Sequence, residues 1–341
     1  GFNVTEGGGD SAEVALELMP GNKIRKYDTW HAMGQGATTG SLVVTLEALK
    51  EMHLTPEDIQ LIQNDTKTCP DTGMAGASRS LYMDGNATII AANKLLAAMR
   101  KEDGTLRTYD EMKAEGIETK YLGRYETNTT PGLCRLDPNT GIGDPTPAFT
   151  YCLNLAEVEV DTKTGKTTVL KFTCVDFVGR IGNIDAVNGQ AYSGIMHGIG
   201  FALKEDYADV KKHANMFGAG TSYIKDVPDD INLIHIDGAI SDGPFGSSGA
   251  SEAFQASGHC AVLNGIYNAC GVRIHEIPAL PEKVKAGLDA IAKGEKPYEP
   301  KKYFLGSDMY EELENIKENP VQVGTQSFYV SLDDPTAERP F

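Results

Sequence analysis

Four stretches of the chain set glycine beside hydrogen-bonding side chains just where a helix-patterned segment begins. The first is Met33-Gly34-Gln35-Gly36. Its glycines let the backbone approach a ligand, its amide both donates and accepts, and the helix start behind it offers unpaired N–H groups and a positive dipole end. The second is Gly73-Met74-Ala75-Gly76-Ala77-Ser78-Arg79-Ser80. Small residues, two hydroxyls and one guanidinium suit close contact with a phosphate or a pterin. The third is Gly189-Gln190, followed on the same segment by Gly194, Gly198 and Gly200. The fourth, Gly246-Ser247-Ser248-Gly249-Ala250-Ser251-Glu252, holds a single carboxylate in a turn of small residues between Phe245 and Phe254. A carboxylate so placed is a candidate general base. Taken singly, each stretch also fits a plain helix entrance or a tight packing turn.

Other chemistries find no footing. The second stretch lacks the G-K-[ST] ending of a phosphate-binding P-loop, and no G-x-G-x-x-G follows a strand in a βαβ unit. G-x-S-x-G is absent, which removes the hydrolase elbow, and the seven histidines show no H-E-x-x-H. The six cysteines (Cys69, Cys134, Cys152, Cys174, Cys260 and Cys270) are dispersed with no C-x-x-C. That argues against a zinc ribbon or a cluster-binding motif and for free thiols in a reducing compartment, hence a cytoplasmic location.

The elements that must position these residues read as a mixture. Residues 156–161 alternate apolar and acidic, a period of two with one buried face; Gly165 marks a turn, and 167–175 is a second β-branched run, so a hairpin is predicted. Residues 39–53 carry Leu42, Val43, Leu46 and Leu49 at helical spacing, with Pro56 starting a new segment. Further helices are predicted at 85–98, 190–203, 256–269 (stopped by Gly271) and 280–292, and a short strand at 272–277. The fold class is α+β, mixed sheets with packed helices. Residues 1–292 are read as two α+β subdomains, and the charged, proline-containing stretch 293–341 as an arm.

Length and charge narrow the partners. A chain of 341 residues holds one large domain or two ordinary ones. Its formal net charge of −17 opposes a nucleic-acid backbone or an anionic bilayer as partner, since both demand basic surface. No apolar run approaches the length of a membrane span. The sequence opens on Gly1, which is read as a processed product or a piece of something longer.

Order and spacing give the four stretches joint meaning. M-G-Q-G at 33–36, A-G-A-S-R-S with D-G-N-A across 75–87, G-Q-A-Y-S-G at 189–194 and G-A-S-E at 249–252 resemble the molybdenum-binding subunit of the xanthine oxidase and aldehyde oxidoreductase family, over about residues 7–292. The resemblance implies the second half of a molybdopterin-binding domain. It assigns Gly34, Gln35 and Gly36 to the surroundings of the pterin, Gly76 and Ala77 to the neighbourhood of the metal and its dithiolene, and Ser78, Arg79 and Ser80 to the pterin and its phosphates. It makes Gln190 a cofactor contact, Gly249, Ala250 and Ser251 backbone contacts, and Glu252 the catalytic base. Members often have glycine where this chain has Ser251, which puts the local turn in question. The dithiolene holds the metal, so no protein ligand to molybdenum is implied.

What the resemblance implies about activity is hydroxylation of a carbon with oxygen from water, foremost aldehyde to carboxylic acid, with electrons passing to iron–sulfur clusters. The cofactor implied is molybdopterin cytosine dinucleotide. The partners implied are the first half of the molybdenum-binding region, an iron–sulfur protein or domain, a flavin (FAD) subunit in many members, and a small-molecule substrate. Hydroxylation of a purine or other N-heterocycle, as in xanthine or nicotinate dehydrogenases, and a non-catalytic cofactor-binding subunit are the alternatives.

Overall fold

The computed structural model describes residues 10–63, 65–127 and 148–295, together with 2–3, 143 and 146. In chain order the elements are β1 (Phe2–Asn3), β2 (Ser11–Met19), β3 (Lys23–Asp28), α1 (Ala37–Ala48), β4 (Ile59–Gln63), α2 (Ser80–Met99), α3 (Tyr109–Ala114), β5 (Lys120–Glu126) and β6 (Ala148–Phe149), then β7 (Tyr151–Val160), β8 (Thr167–Phe177), α4 (Ile184–Leu203), α5 (Met216–Ala219), β9 (Asp230–His235), α6 (Ser251–Gln255), α7 (Gly258–Cys270) and α8 (Pro281–Ala292). The α+β class read from the sequence is what the chain adopts.

Two larger sheets follow one grammar. In the first, of order β4-β3-β2-β5, an antiparallel pair β2–β3 gains a parallel partner, β4, through the crossover helix α1. In the second, of order β7-β8-β9, the antiparallel hairpin β7–β8 gains the parallel β9, and α4 lies in that crossover. Each crossover leaves the carboxyl end of a strand, turns, and enters a helix at its N-terminus, and such turns gather ligand-binding backbone at one edge of a sheet. Leu16, Leu18 and Ile24 of the first sheet pack with Leu95 and Met99 of α2; Phe172 and Cys174 of the second pack with Ile195 and Ile199 of α4 and Val262 of α7.

The first unit is tuned for close approach of helix and sheet. A side chain at Gly123 of β5 would strike the backbone of α2 at Ala87, 2.0 Å away, so only glycine lets that helix lie flat on the sheet. Beneath the first crossover, three fully buried charges meet. Lys26 Nζ donates to Asp84 Oδ1 (2.7 Å) and sits 3.2 Å from Asp28 Oδ2, which also receives the Ser41 hydroxyl at 2.7 Å. This cluster ties β3, α1 and α2 together. Burial pushes the Asp84 carboxyl up to about 6 despite the pull of Lys26.

The structure shifts several sequence expectations. The hairpin is longer than the alternating run, reaching Tyr151 and Phe177. Helix α4 starts at Ile184, because the Asn183 side chain caps it by accepting Ala186 N–H at 3.0 Å, which places Gly189 and Gln190 inside the helix and not in a turn before it. The helix expected over 256–269 is α7, ended by Gly271 as read, and a separate short helix, α6, precedes it. Residues 272–277 form no strand: Val272 packs against Gly287 of α8, and the segment has no ladder partner among the described residues. Beyond Glu295, the arm expected over 293–341 lies outside the described residues.

Candidate active site

The turns of the two sheet units face one another across a cavity of about 990 Å³. Gln35 and Gly36, the loop Gly76, Ala77, Ser78 and Ser80, the side chain of Gln190, and the turn Gly249, Ala250, Ser251 and Glu252 all line it. Residues dispersed over more than two hundred positions thus share one space. Gly34 does not line the cavity; at φ +105° it supplies the left-handed bend that turns Gln35 back.

Backbone and hydroxyl bonds staple the loops in pairs. Thr29 and Thr72 each donate a backbone N–H to the other's hydroxyl at 2.9 Å, joining the first loop to the second. Arg180 N–H donates to Gly246 O at 2.8 Å and the Ser247 hydroxyl to Arg180 O at 2.6 Å, joining the turn before α4 to the one before α6. A third contact bridges the two units: the Ser78 hydroxyl donates to Glu252 Oε2 at 2.9 Å. Gln35 serves its own turn, donating to His31 O and accepting from Met33 N–H, both at 2.6 Å.

Glu252 is carried by α6, and α6 sits where it does because α4 presents glycine to it. A Cβ at Gly194 would lie 2.5 Å from the Phe254 Cβ and 2.7 Å from its carbonyl carbon. Ser251 opens α6 and is not among the residues with positive φ, so serine in place of the family's glycine leaves the turn unstrained. Its hydroxyl oxygen stands 3.5 Å from that of Ser78.

Arg79 departs from its expected part. It is 2% exposed and does not line the cavity. Nε and Nη2 grip Asp10 at 2.7 and 2.6 Å, Nη2 also reaches Ser11 O, and Nη1 reaches the carbonyls of Thr72 and Met74. All five guanidinium protons are spent, so none is left for a phosphate. The residue clamps the second loop from behind, where Ala77 and Ser78 hold left-handed backbone at φ +51° and +54°. Sequence reasoning missed Arg180, which lines the cavity, is exposed, and has no carboxylate partner among the described residues. Its only signal was a cation beside the glycine at 179, too weak to notice without the crossover geometry.

The donor set fits an anionic, phosphate-bearing pterin. Helices α1 and α2 both begin at the cavity, and neither N-terminus is capped by a side chain, which leaves backbone N–H groups and a positive dipole end open to phosphate. Among the described residues no three His, Cys, Asp or Glu side chains gather as metal ligands would, and no helix is long and apolar enough to cross a membrane.

Comparison with known proteins agrees with the geometry. The family model of the molybdopterin cofactor-binding domain matches residues 1–228. The aldehyde oxidoreductase of Megalodesulfovibrio gigas is 41% identical over 283 residues, 83% of this chain and 31% of the relative. The crystal structure of the aldehyde oxidoreductase from Desulfovibrio desulfuricans ATCC 27774 superposes with a TM-score of 0.80 at 43% identity, covering 83% of this chain and 31% of that one. Quinoline 2-oxidoreductase from Pseudomonas putida 86, at 20% identity and a TM-score of 0.66 over 82% of this chain and 38% of its own, shares the fold. The chain therefore spans about a third of the length of the relatives it matches. It belongs to the molybdopterin cofactor-binding domain family, of the xanthine oxidase and aldehyde oxidoreductase type.

Proposed function

We propose that this chain is the second half of the molybdenum-binding region of an enzyme that oxidises an aldehyde to a carboxylic acid with water as the oxygen source. The single observation that carries the reading is the convergence of Gln35, Ser78, Gln190 and Glu252 on one cavity. The choice of aldehyde over purine rests on the 41% identity with an aldehyde oxidoreductase.

A bound molybdenum–pterin cofactor supplies a two-electron acceptor and activates water toward deprotonation. The chain's own residues do the rest. The uncapped starts of α1 and α2 hold the cofactor's phosphates, and Arg180 adds the cation that Arg79 cannot. Gly76 and Ala77 offer a wall without bulky side chains, and the amide of Gln190 presents a donor and an acceptor to the pterin. Glu252 takes the proton released as oxygen attacks the substrate carbon, and α6, seated on Gly194, fixes where that carboxylate stands. We propose the cytosine dinucleotide form of the cofactor, a cytoplasmic location, and iron–sulfur and flavin components as the electron path beyond this chain.

The test is Glu252→Gln in the complete enzyme, which keeps the side chain's size and removes its basicity. Turnover is expected to vanish while molybdenum content stays at the wild-type level; turnover at the wild-type rate would defeat the assignment.

A further inference from the structure

Ser78 and Glu252 lie 174 residues apart in sequence, one before α2 of the first sheet unit and the other on α6 of the second. The Ser78 hydroxyl touches Glu252 twice. Its oxygen lies 3.3 Å from the Glu252 backbone nitrogen and 2.9 Å from carboxylate Oε2. A backbone N–H only donates, so the serine oxygen must accept there, and its single proton is directed to Oε2. The other carboxylate oxygen, Oε1, has no partner among the described residues. From this geometry we infer that Ser78 is a positioning residue for Glu252: its hydroxyl anchors Oε2 and leaves Oε1 as the oxygen that receives the proton.

The loop is built to hold that hydroxyl. Ala77 and Ser78 both adopt left-handed backbone, a conformation that residues with a Cβ hold only when their surroundings impose it. The imposing group is the neighbouring Arg79, whose five bonds to Asp10, Ser11, Thr72 and Met74 lock the chain immediately after Ser78. On the other side Ser251, one residue before Glu252, brings its own hydroxyl to 3.5 Å from that of Ser78. Strain, clamp and hydroxyl therefore all bear on one carboxylate. This inference rests on the reading of Glu252 as the base.

The test uses two substitutions in the complete, cofactor-loaded enzyme. Ser78→Ala removes the hydroxyl and keeps the backbone demand, whereas Ser78→Gly removes the hydroxyl and relieves the strain. If the hydroxyl positions the base, both lower kcat by about tenfold to a hundredfold, the scale of a carboxylate displaced by an ångström. KM stays within about threefold, molybdenum content stays at the wild-type level, and a crystal structure of the alanine variant shows the Glu252 carboxylate turned from its wild-type orientation. Wild-type kcat in both variants, or in the glycine variant alone, overturns the inference. So does molybdenum loss in proportion to lost activity, which would make Ser78 a cofactor contact. A full rate in Glu252→Gln would instead strike at the functional reading itself, so the two failures are told apart.

Discussion

Replacing Arg79 by lysine keeps the charge and removes the fork. Five acceptors surround the guanidinium: both oxygens of Asp10 and the carbonyls of Ser11, Thr72 and Met74. An ammonium has three protons, so at least two acceptors are left bare in a site where the arginine is 2% exposed. Each orphaned buried acceptor costs about 1–3 kcal/mol. Asp10 is 19% exposed at its side chain and water can partly replace its bond, which favours the lower half of the resulting range of about 2–6 kcal/mol, about 3 kcal/mol in all. That free energy corresponds to roughly a hundredfold faster opening. The assay is native-state hydrogen exchange in the cofactor-free protein, read on the amides of β2 and on those of α2 from Met83, whose N–H donates to Arg79 O, onward. Arg79→Met, which leaves Asp10 without its cation, is expected to lose about 3–5 kcal/mol. Unchanged exchange in both cofactor-free variants, combined with loss of cofactor binding, would refute the clamp and return Arg79 to the phosphates.

Other expectations follow from the packing and charge already described. Gly194→Ala forces a Cβ into Phe254 and should cost about 1–3 kcal/mol of overpacking and lower kcat by moving α6; a variant with wild-type urea midpoint and rate would contradict the role of that glycine. Asp84 holds its proton up to about pH 6 in the folded state against an ordinary value of 3.8, so the folded form binds more protons between these values and stability falls as pH rises from 4 to 6, by about 2 kcal/mol. Unfolding curves across that range should flatten in Asp84→Asn, and an equal slope in variant and wild type would dismiss the effect. Arg180→Ala should lower cofactor content without changing the thermal stability of the cofactor-free protein, and full cofactor retention would remove Arg180 from the phosphate site.

The candidate site was more legible in the sequence than the fold around it. Glycine, serine and glutamine at the cavity wall act through backbone contact and hydrogen bonding, and these demands leave motifs that survive as strings of residues. The hairpin β7–β8 was readable because one face alternates over 156–161. Strands β2, β3 and β4 went unread: β2 does bury alternate residues (Ala12, Val14, Leu16 and Leu18), a period of two interrupted only by Ala15, whereas β3 buries a lysine and an aspartate that look like surface charges. Helix starts were misjudged where a cap decided them, as at Asn183 for α4. Arg79 shows a different limit. Its residue type suggested a phosphate contact, and only the three-dimensional count of its donors assigns it to Asp10 and the loop carbonyls.

The central claim is that four distant stretches surround one molybdenum–pterin cofactor with Glu252 facing its metal. Anomalous diffraction from crystals of the loaded enzyme, collected at the molybdenum edge, tests this most directly. A single molybdenum peak inside the cavity lined by Gly76, Gln190 and Glu252 is the predicted result. A peak elsewhere, with this cavity holding only solvent, would contradict the account.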